Sequence, residues 1–313
     1  MSTKVIKVNE ATITQMKTHY KQHLLEKIPP GGVFAAKHPS CMITAYRSGK
    51  VMFQGAGADS EAGVWEHQSS EVTPKAKAAQ PKARNDQYSV PSNIEELAII
   101  GSDEVGTGDY FGPIIVVAAY VQPKDMALLK ELGVKDSKGL KDDQIIKIAK
   151  DIRQVIPHSV LILHNEKYNS LQARGMTQGK IKALLHNKAI GHVLDKIDPE
   201  QPDGILIDQF AEPDIYYRHI KNEKRIIKNT VYFSTKAEGV HLSVAAASII
   251  ARYVFVKEFD KLSEKAGITL QKGAGAGVDR IAAQLIKSKG ETVLTEIAKV
   301  HFANTEKARR LLR

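Results

Sequence analysis

Two neighbouring carboxylates, Asp103 and Glu104, close an apolar run and stand directly before Val105-Gly106-Thr107-Gly108. Far along the chain a third, Asp208, ends the apolar run Ile205-Leu206-Ile207. Open α/β sheets gather their ligand sites at the carboxyl ends of strands, so two such strands lying together would bring three acids into one crevice. Clustered carboxylates repel one another, and burying them unpaired costs several kcal/mol, so the cluster makes physical sense chiefly around hard cations held through oxygen. A pair of Mg²⁺ ions held in this way attacks phosphodiesters, one ion activating water and the other stabilising the leaving oxygen. Each acid taken singly also reads as a strand-end cap or salt bridge, and spacing alone does not make them converge.

Adjacent residues on a strand point to opposite faces, so the backbone is expected to bend if Asp103 and Glu104 are to reach one site. The glycines that follow make such a bend possible. Gly106-Thr107-Gly108 offers backbone N–H groups to a phosphate, although glycines are also expected in a plain hairpin turn. Gly273-Ala274-Gly275-Ala276-Gly277 lacks the Lys-Ser/Thr ending of a phosphate loop and follows no convincing strand, which excludes ATP binding there. His19 and His23 stand four apart without the glutamate of a zinc-protease motif. Ser248 and Cys41 have no evident base partner, so covalent catalysis has little support.

The elements that must position these acids alternate from Leu97 onward. Leu97 to Glu104 and Pro113 to Val121 form an expected antiparallel hairpin around the glycine turn. Segments 126–132, 141–156, 177–197 and 243–262 are expected to be helical, with buried strands over 160–164 and 204–207. This order predicts an α/β domain, a mixed sheet flanked by helices with an antiparallel pair. Upstream, Thr12 to Lys27 carries Ile13, Met16, Tyr20 and Leu24 on one helical face and stops at Pro29-Pro30-Gly31-Gly32. Strands are expected over 33–37, 41–46 and 51–54, giving a small basic α+β module of one helix on a sheet. Between the two, residues 69–92 are poor in large apolar groups and carry Pro74 and Pro81, a composition that reads as a flexible basic linker. The expected domains are therefore 1–68, linker 69–92 and 93–313.

The chain has 313 residues, 42% hydrophobic and 26% charged, which suits a globular protein with a proper core rather than a disordered or membrane one. No apolar run spans a bilayer and the polar start lacks a signal-peptide core, so a cytoplasmic protein is expected. One cysteine permits neither an internal disulfide nor a thiolate zinc site, leaving oxygen or imidazole for any metal. Forty-five basic residues against thirty-five acidic give a net charge of +10, a balance that favours polyanions such as nucleic acid. Residues 1–90 hold twelve basic and seven acidic side chains, a disproportionate share of that excess.

Ile100-Gly101-Ser102-Asp103-Glu104-Val105-Gly106-Thr107-Gly108-Asp109-Tyr110-Phe111-Gly112-Pro113 resembles the opening signature of the type 2 ribonucleases H, in the form found in ribonuclease HIII. Lys135-Asp136-Ser137-Lys138 is similar to the family's Asp-Ser-Lys element, Asp208 falls where its third acid is expected, and Ala245-Ala246-Ala247-Ser248-Ile249-Ile250-Ala251-Arg252 resembles its Ala-Ala-Ser-Ile helix. Ten residues before Ser248 stands Glu238, where the ribonuclease HIII variant carries glutamate as its fourth acid. The resemblance runs from about Leu97 to Thr305 and rests on separated motifs that agree in order. It implies a ribonuclease H-like fold with a small N-terminal TATA-binding-protein-like domain that helps hold substrate.

What the resemblance implies chemically is an endonuclease that hydrolyses the RNA strand of RNA–DNA hybrids, leaving a 3′-hydroxyl and a 5′-phosphate. Asp103, Glu104, Asp208 and Glu238 would hold two Mg²⁺ or Mn²⁺ ions, with Glu238 also positioning water. Gly106, Thr107 and Gly108 would read the 2′-hydroxyls that separate RNA from DNA, and Lys138, Tyr168 and Asn169 would contact substrate. The expected partner is the hybrid duplex and the expected state a monomer. Two other readings stand beside this one. The first is ribonuclease HII-like incision at single embedded ribonucleotides, against which Thr107 weighs, since ribonuclease HII has Arg or Lys there. The second is a non-catalytic nucleic-acid binder.

Overall fold

The computed structural model describes residues 3–29, 31–66, 86–135 and 137–313. The chain divides into two compact units, residues 1–83 and 84–313. The expected linker falls largely outside the described residues. Its far end does not: Tyr88 stacks on Tyr217 with ring centroids 5.5 Å apart and meets Phe233 edge-on, so the larger unit is already packing before residue 92.

In the smaller unit, β1 (Thr3–Lys7), β2 (Gly32–Lys37), β3 (Met42–Tyr46) and β4 (Lys50–Gln54) form an antiparallel sheet in the order β1-β4-β3-β2. Two helices cover it rather than the one expected: α1 (Glu10–His19) and α2 (Ala58–Glu66). Helix α1 ends about two turns short of the expected Lys27. Tyr20 leaves the helical backbone as its C-cap while its hydroxyl donates to Glu61 Oε1 at 2.7 Å and accepts from Trp65 Nε1, so the tyrosine pins α1 to α2 instead of continuing the stripe. Leu24 then bridges to Ala36 on the sheet edge. One sheet face, with Ile6, Phe34, Ile43, Val51 and Phe53, is sealed by the helices. Across the other, Val5 is half exposed beside Met52 in a concavity of about 530 Å³ lined also by Gly31, Tyr46, Arg47, Ser48 and Lys50.

The larger unit is built on five strands: β5 (Ile99–Val105), β6 (Ile114–Val121), β7 (His158–Leu163), β8 (Gly204–Asp208) and β9 (Val231–Ser234), ordered β7-β6-β5-β8-β9. The first three pair antiparallel, while β5-β8 and β8-β9 are parallel. The helices are α3 (Pro123–Glu131), α4 (Asp142–Val155), α5 (Asn165–Ala173), α6 (Gln178–Ile197), α7 (Pro213–Ile220), α8 (Leu242–Ala266), α9 (Ala276–Lys289), α10 (Val293–Ile297) and α11 (Ala303–Arg310). Apolar residues alternate across β6: Ile115, Val117 and Ala119 pack with α8 and α4, and Ile114, Val116 and Ala118 pack with α6. The sheet is thus buried on both faces, as its continuous apolar runs require. Gly101 lets α8 approach: a Cβ there would stand 2.3 Å from the Val244 nitrogen.

Candidate active site

Strand β5 runs in unbroken register with β6 through both acids, Asp103 opposite Val117 and Glu104 opposite Val116. The expected bend is absent because regular pairing continues to Val105, and the chain turns only at Gly106, whose φ is +87°. The two carboxylates therefore leave on opposite faces, Asp103 toward α8 and Glu104 toward α6. Beside β5, parallel β8 sets Ile207 against Ser102 and carries Asp208 out at the same end as Asp103, on the α8 side where Leu206 packs with Val244.

On the α8 side stand Asp103, Asp208 and the turn that carries Glu238. Asp103 Oδ1 accepts the Glu104 N–H at 2.7 Å, and Ser248 of α8 also hydrogen-bonds the carboxyl. Asp208 Oδ1 accepts the Ala237 N–H at 2.8 Å. That bond ties it to the 3₁₀ turn Ala237–Gly239, which carries the buried Glu238. Lys236 enters this turn at φ +57°, a left-handed conformation that redirects the chain from β9 toward α8. Glu238 Oε2 accepts from the Ser137 hydroxyl at 3.1 Å, and Ser137 Oγ stands 3.0 Å from Ser248 Oγ. A hydroxyl chain thus links the surroundings of Glu238 to those of Asp103. Arg252, one turn beyond Ser248, donates to the Ser137 carbonyl and to Asp142, holding the turn in place.

Burial pushes the Asp103 carboxyl up to about 7, and the charges of Asp208 and Glu104 add to the rise against the opposing Ser248 hydrogen bond. Glu104 is the opposite case. Burial pushes it up too, but His186 and Lys182 outweigh that and hold it below the usual carboxylate range. Lys182 Nζ donates to Oε1 at 2.6 Å and His186 Nε2 to Oε2 at 2.7 Å. The other nitrogen of the wholly buried His186 lies 2.6 Å from Ser102 Oγ, and its ring stacks on Phe210. Gln178, Lys182 and His186 are spaced by four along α6 and so share one face, which also sends Gln178 Nε2 to the Thr107 carbonyl at 3.0 Å. None of the three is in the expected site. The signal for them is polar residues on the helix face whose neighbours Ile181 and Ala189 are buried.

Gly106 is buried, and a Cβ there would meet the Pro113 carbonyl oxygen at 2.2 Å, so this glycine serves the turn itself. Gly108 is exposed with open space beside it, and Thr107 is half-buried. Tyr168 is fully buried; its hydroxyl accepts from Gln172 and Gln178. The Asn169 amide is occupied by backbone, donating to the Thr295 and Ala298 carbonyls and accepting from Val300 N–H. Lys299, also fully buried, donates to the carbonyls of Asp109 at 2.8 Å and Gly112 at 2.6 Å, fixing the loop after the glycines. Lys138 lies in the turn Ser137–Gly139, with its side chain outside the described residues, as is Asp136.

Hard divalent cations suit this donor set: every candidate ligand is a carboxylate oxygen, and a cation would offset the burial, and after it the neighbouring charge, that raise Asp103. Among the described residues, no three His, Cys, Asp or Glu side chains are gathered closely enough to hold an ion as they stand. Glu104, with both oxygens turned onto α6, is the member set apart.

Residues 100–305 match the family model described as Ribonuclease HII, which places the larger unit in the type 2 ribonuclease H class, and residues 3–78 match one described as Domain of unknown function (DUF3378). The chain is 58% identical over 309 residues to a ribonuclease HIII of Bacillus mycoides, covering 99% of this chain and 98% of that one, and 57% identical over the whole of both chains to a ribonuclease HIII of Bacillus pumilus. It is similar to the crystal structure of Bst-RNase HIII in complex with Mn²⁺ at 46% identity and a TM-score of 0.68, covering 100% of this chain and 99% of that chain. The chain belongs to the ribonuclease HIII family, and its chemistry is that of a ribonuclease H endonuclease.

Proposed function

We propose that Asp103, Glu104, Asp208 and Glu238 are the catalytic set with which this chain hydrolyses the RNA strand of RNA–DNA hybrids, leaving a 3′-hydroxyl and a 5′-phosphate. The observation that carries the reading is the pairing of Asp103 and Asp208 at the carboxyl ends of neighbouring parallel strands, close enough for one charge to raise the other's pKa. Mg²⁺ or Mn²⁺, two ions when bound, would supply an activated water and offset charge on the leaving oxygen. Asp103 and Asp208 would hold them from the α8 side and Glu104 from the α6 side. Glu238 would complete the set and orient the attacking water.

Exposed Gly108 and half-buried Thr107 present backbone and hydroxyl groups to the RNA 2′-hydroxyls. Tyr168 acts on that turn through Gln178, which bridges its hydroxyl and the Thr107 carbonyl. The N-terminal unit would hold the duplex backbone, with Tyr46, Arg47 and Lys50 beside its open sheet face. The protein would act in the cytoplasm as a monomer; among the described residues no helix is long and apolar enough to cross a membrane.

The test is cleavage of a uniform RNA–DNA hybrid against a duplex carrying one embedded ribonucleotide, with Mg²⁺, with Mn²⁺ and with EDTA. Metal-dependent cutting of the uniform hybrid is expected. Preference for the single ribonucleotide would favour ribonuclease HII-like incision, and metal-independent binding without cutting would reduce the protein to a binder.

A further inference from the structure

Both oxygens of Glu104 are already engaged, one by Lys182 and one by His186. A cation that takes this carboxylate must share it with these donors or displace one of them. The two are not equally free to yield. His186 has no exposed side-chain surface, is held at its second nitrogen by Ser102, and is stacked on Phe210. Lys182 makes a single hydrogen bond at the end of a flexible four-carbon stem and keeps 13% of its side chain exposed. Its ammonium also lies 4.2 Å from the centre of the Phe210 ring, a second resting place for the charge.

We infer that Lys182 is a built-in counter-cation for Glu104: its ammonium neutralises the carboxylate before metal arrives and is displaced when a divalent ion binds, while His186 stays as the fixed pivot. Lys182 is thus a positioning residue that sets the metal concentration at which the site assembles. The exchange replaces one positive charge by another at the same carboxylate, so the buried acid is never left uncompensated. The inference rests on Glu104 being a metal ligand, as proposed above.

The test is binding of Mn²⁺ alone, without substrate, to the full-length chain at pH 8, followed by calorimetry or by the loss of free-Mn²⁺ electron resonance. Removing one unit charge from beside the carboxylate in Lys182→Met should tighten Mn²⁺ binding by roughly 3- to 10-fold, as expected for a partly screened neighbour. Lys182→Arg, which keeps the charge, should bind Mn²⁺ no more tightly than the unaltered chain. Unchanged or weaker binding by Lys182→Met overturns the inference. Glu104→Gln separates the two levels: if it binds Mn²⁺ as well as the unaltered chain, the ligand assignment falls and the inference with it. Should Lys182→Met fold poorly, the unaltered chain still decides the matter through ¹⁵N resonances of its lysine ammonium groups. One protected signal in EDTA, absent from Lys182→Arg, should broaden on Mg²⁺ saturation, and its persistence would refute displacement.

Discussion

The two sides of the β5 carboxyl end put the same chemistry to opposite use. On the α8 side Asp103 sits among other acids and hydroxyls, and burial with like charge raises its pKa to about 7. On the α6 side its sequence neighbour Glu104 sits between Lys182 and His186 and is held ionised below the ordinary range. A strand one residue thick in sequence thus separates a carboxylate short of positive charge from one fully supplied with it. The difference teaches that the alternation of a strand, with no bend at all, sets two carboxylates of different readiness at one strand end: as the ligands proposed above, one would have to gain a cation to ionise fully and the other to exchange its cation for another.

The largest break in that comparison comes from removing the charge on the α8 side. Asp103→Asn should lower hybrid cleavage by about a thousandfold or more, the several kcal/mol that a metal-held transition state supplies, while hybrid binding persists. The same change should stabilise the metal-free protein. Folded Asp103 keeps its proton up to about pH 7, whereas the unfolded chain releases it near the usual 3.8, so stability falls as pH rises through that interval. Above pH 7 the cost is complete, and Asp103→Asn should recover on the order of 2–4 kcal/mol of it, read as a higher Tm in EDTA. At pH 4 the gain should vanish, and a gain independent of pH would show that the carboxyl is not strained.

His186→Ala acts on the other side. It removes the pivot from Glu104, leaves Ser102 without its imidazole partner and opens a cavity beside Phe210. Breaking a buried charged hydrogen bond in this way should cost about 3–5 kcal/mol in thermal or denaturant unfolding. A cost below about 1 kcal/mol would mean that Lys182 alone suffices for Glu104. Smaller again is Gly101→Ala, which touches the acids only through the backbone. Its Cβ would press on the Val244 nitrogen and Ser243, prising α8 from β5 at a cost of about 1–3 kcal/mol. Because Ser248 rides on α8, the Asp103 side should lose metal affinity while the Lys182 and His186 contacts to Glu104 survive.

Much of the α8 side was legible in the sequence, for a physical reason. Asp103 and Asp208 end apolar strands, and strands buried on both faces announce themselves as unbroken apolar runs, whereas Glu238 is reached only through the resemblance to ribonuclease HIII. The α6 side was not. Gln178, Lys182 and His186 lie in a helix whose existence was plain, but a polar residue on a helix face signals a site only when the strand end it meets is known, and that pairing is non-local. Likewise α1 was overextended because Tyr20 fits an apolar stripe while its hydroxyl serves Glu61 and Trp65. Asn169 is expected to contact substrate, yet its amide is spent on backbone, donating to the Thr295 and Ala298 carbonyls and accepting from the Val300 N–H, bonds that no sequence pattern reveals. Strands β1 and β9 escaped because four or five residues with mixed patterning carry too little periodicity.

The finest test of the contrast is Ser248→Ala. Ser248 is the one side chain from α8 whose hydrogen bond lowers the Asp103 pKa against burial and the neighbouring acids. Without it the carboxyl should need a higher pH to ionise, and the Ser137 hydroxyl would lose a partner on its far side from Glu238. Losing a hydrogen bond of roughly 1 kcal/mol corresponds to an upward shift of about 0.5–1 pH unit in the acid limb of Mn²⁺ binding and of metal-limited cleavage. The Glu104 carboxylate, whose hydrogen-bond partners Lys182 and His186 are both on α6, is untouched by this change, so Lys182→Arg in the same assay should leave the acid limb where it was. A limb that moves with Lys182 and not with Ser248 would mean that the proton released on metal binding comes from the α6 side, and the assignment of the two carboxylates would have to be exchanged.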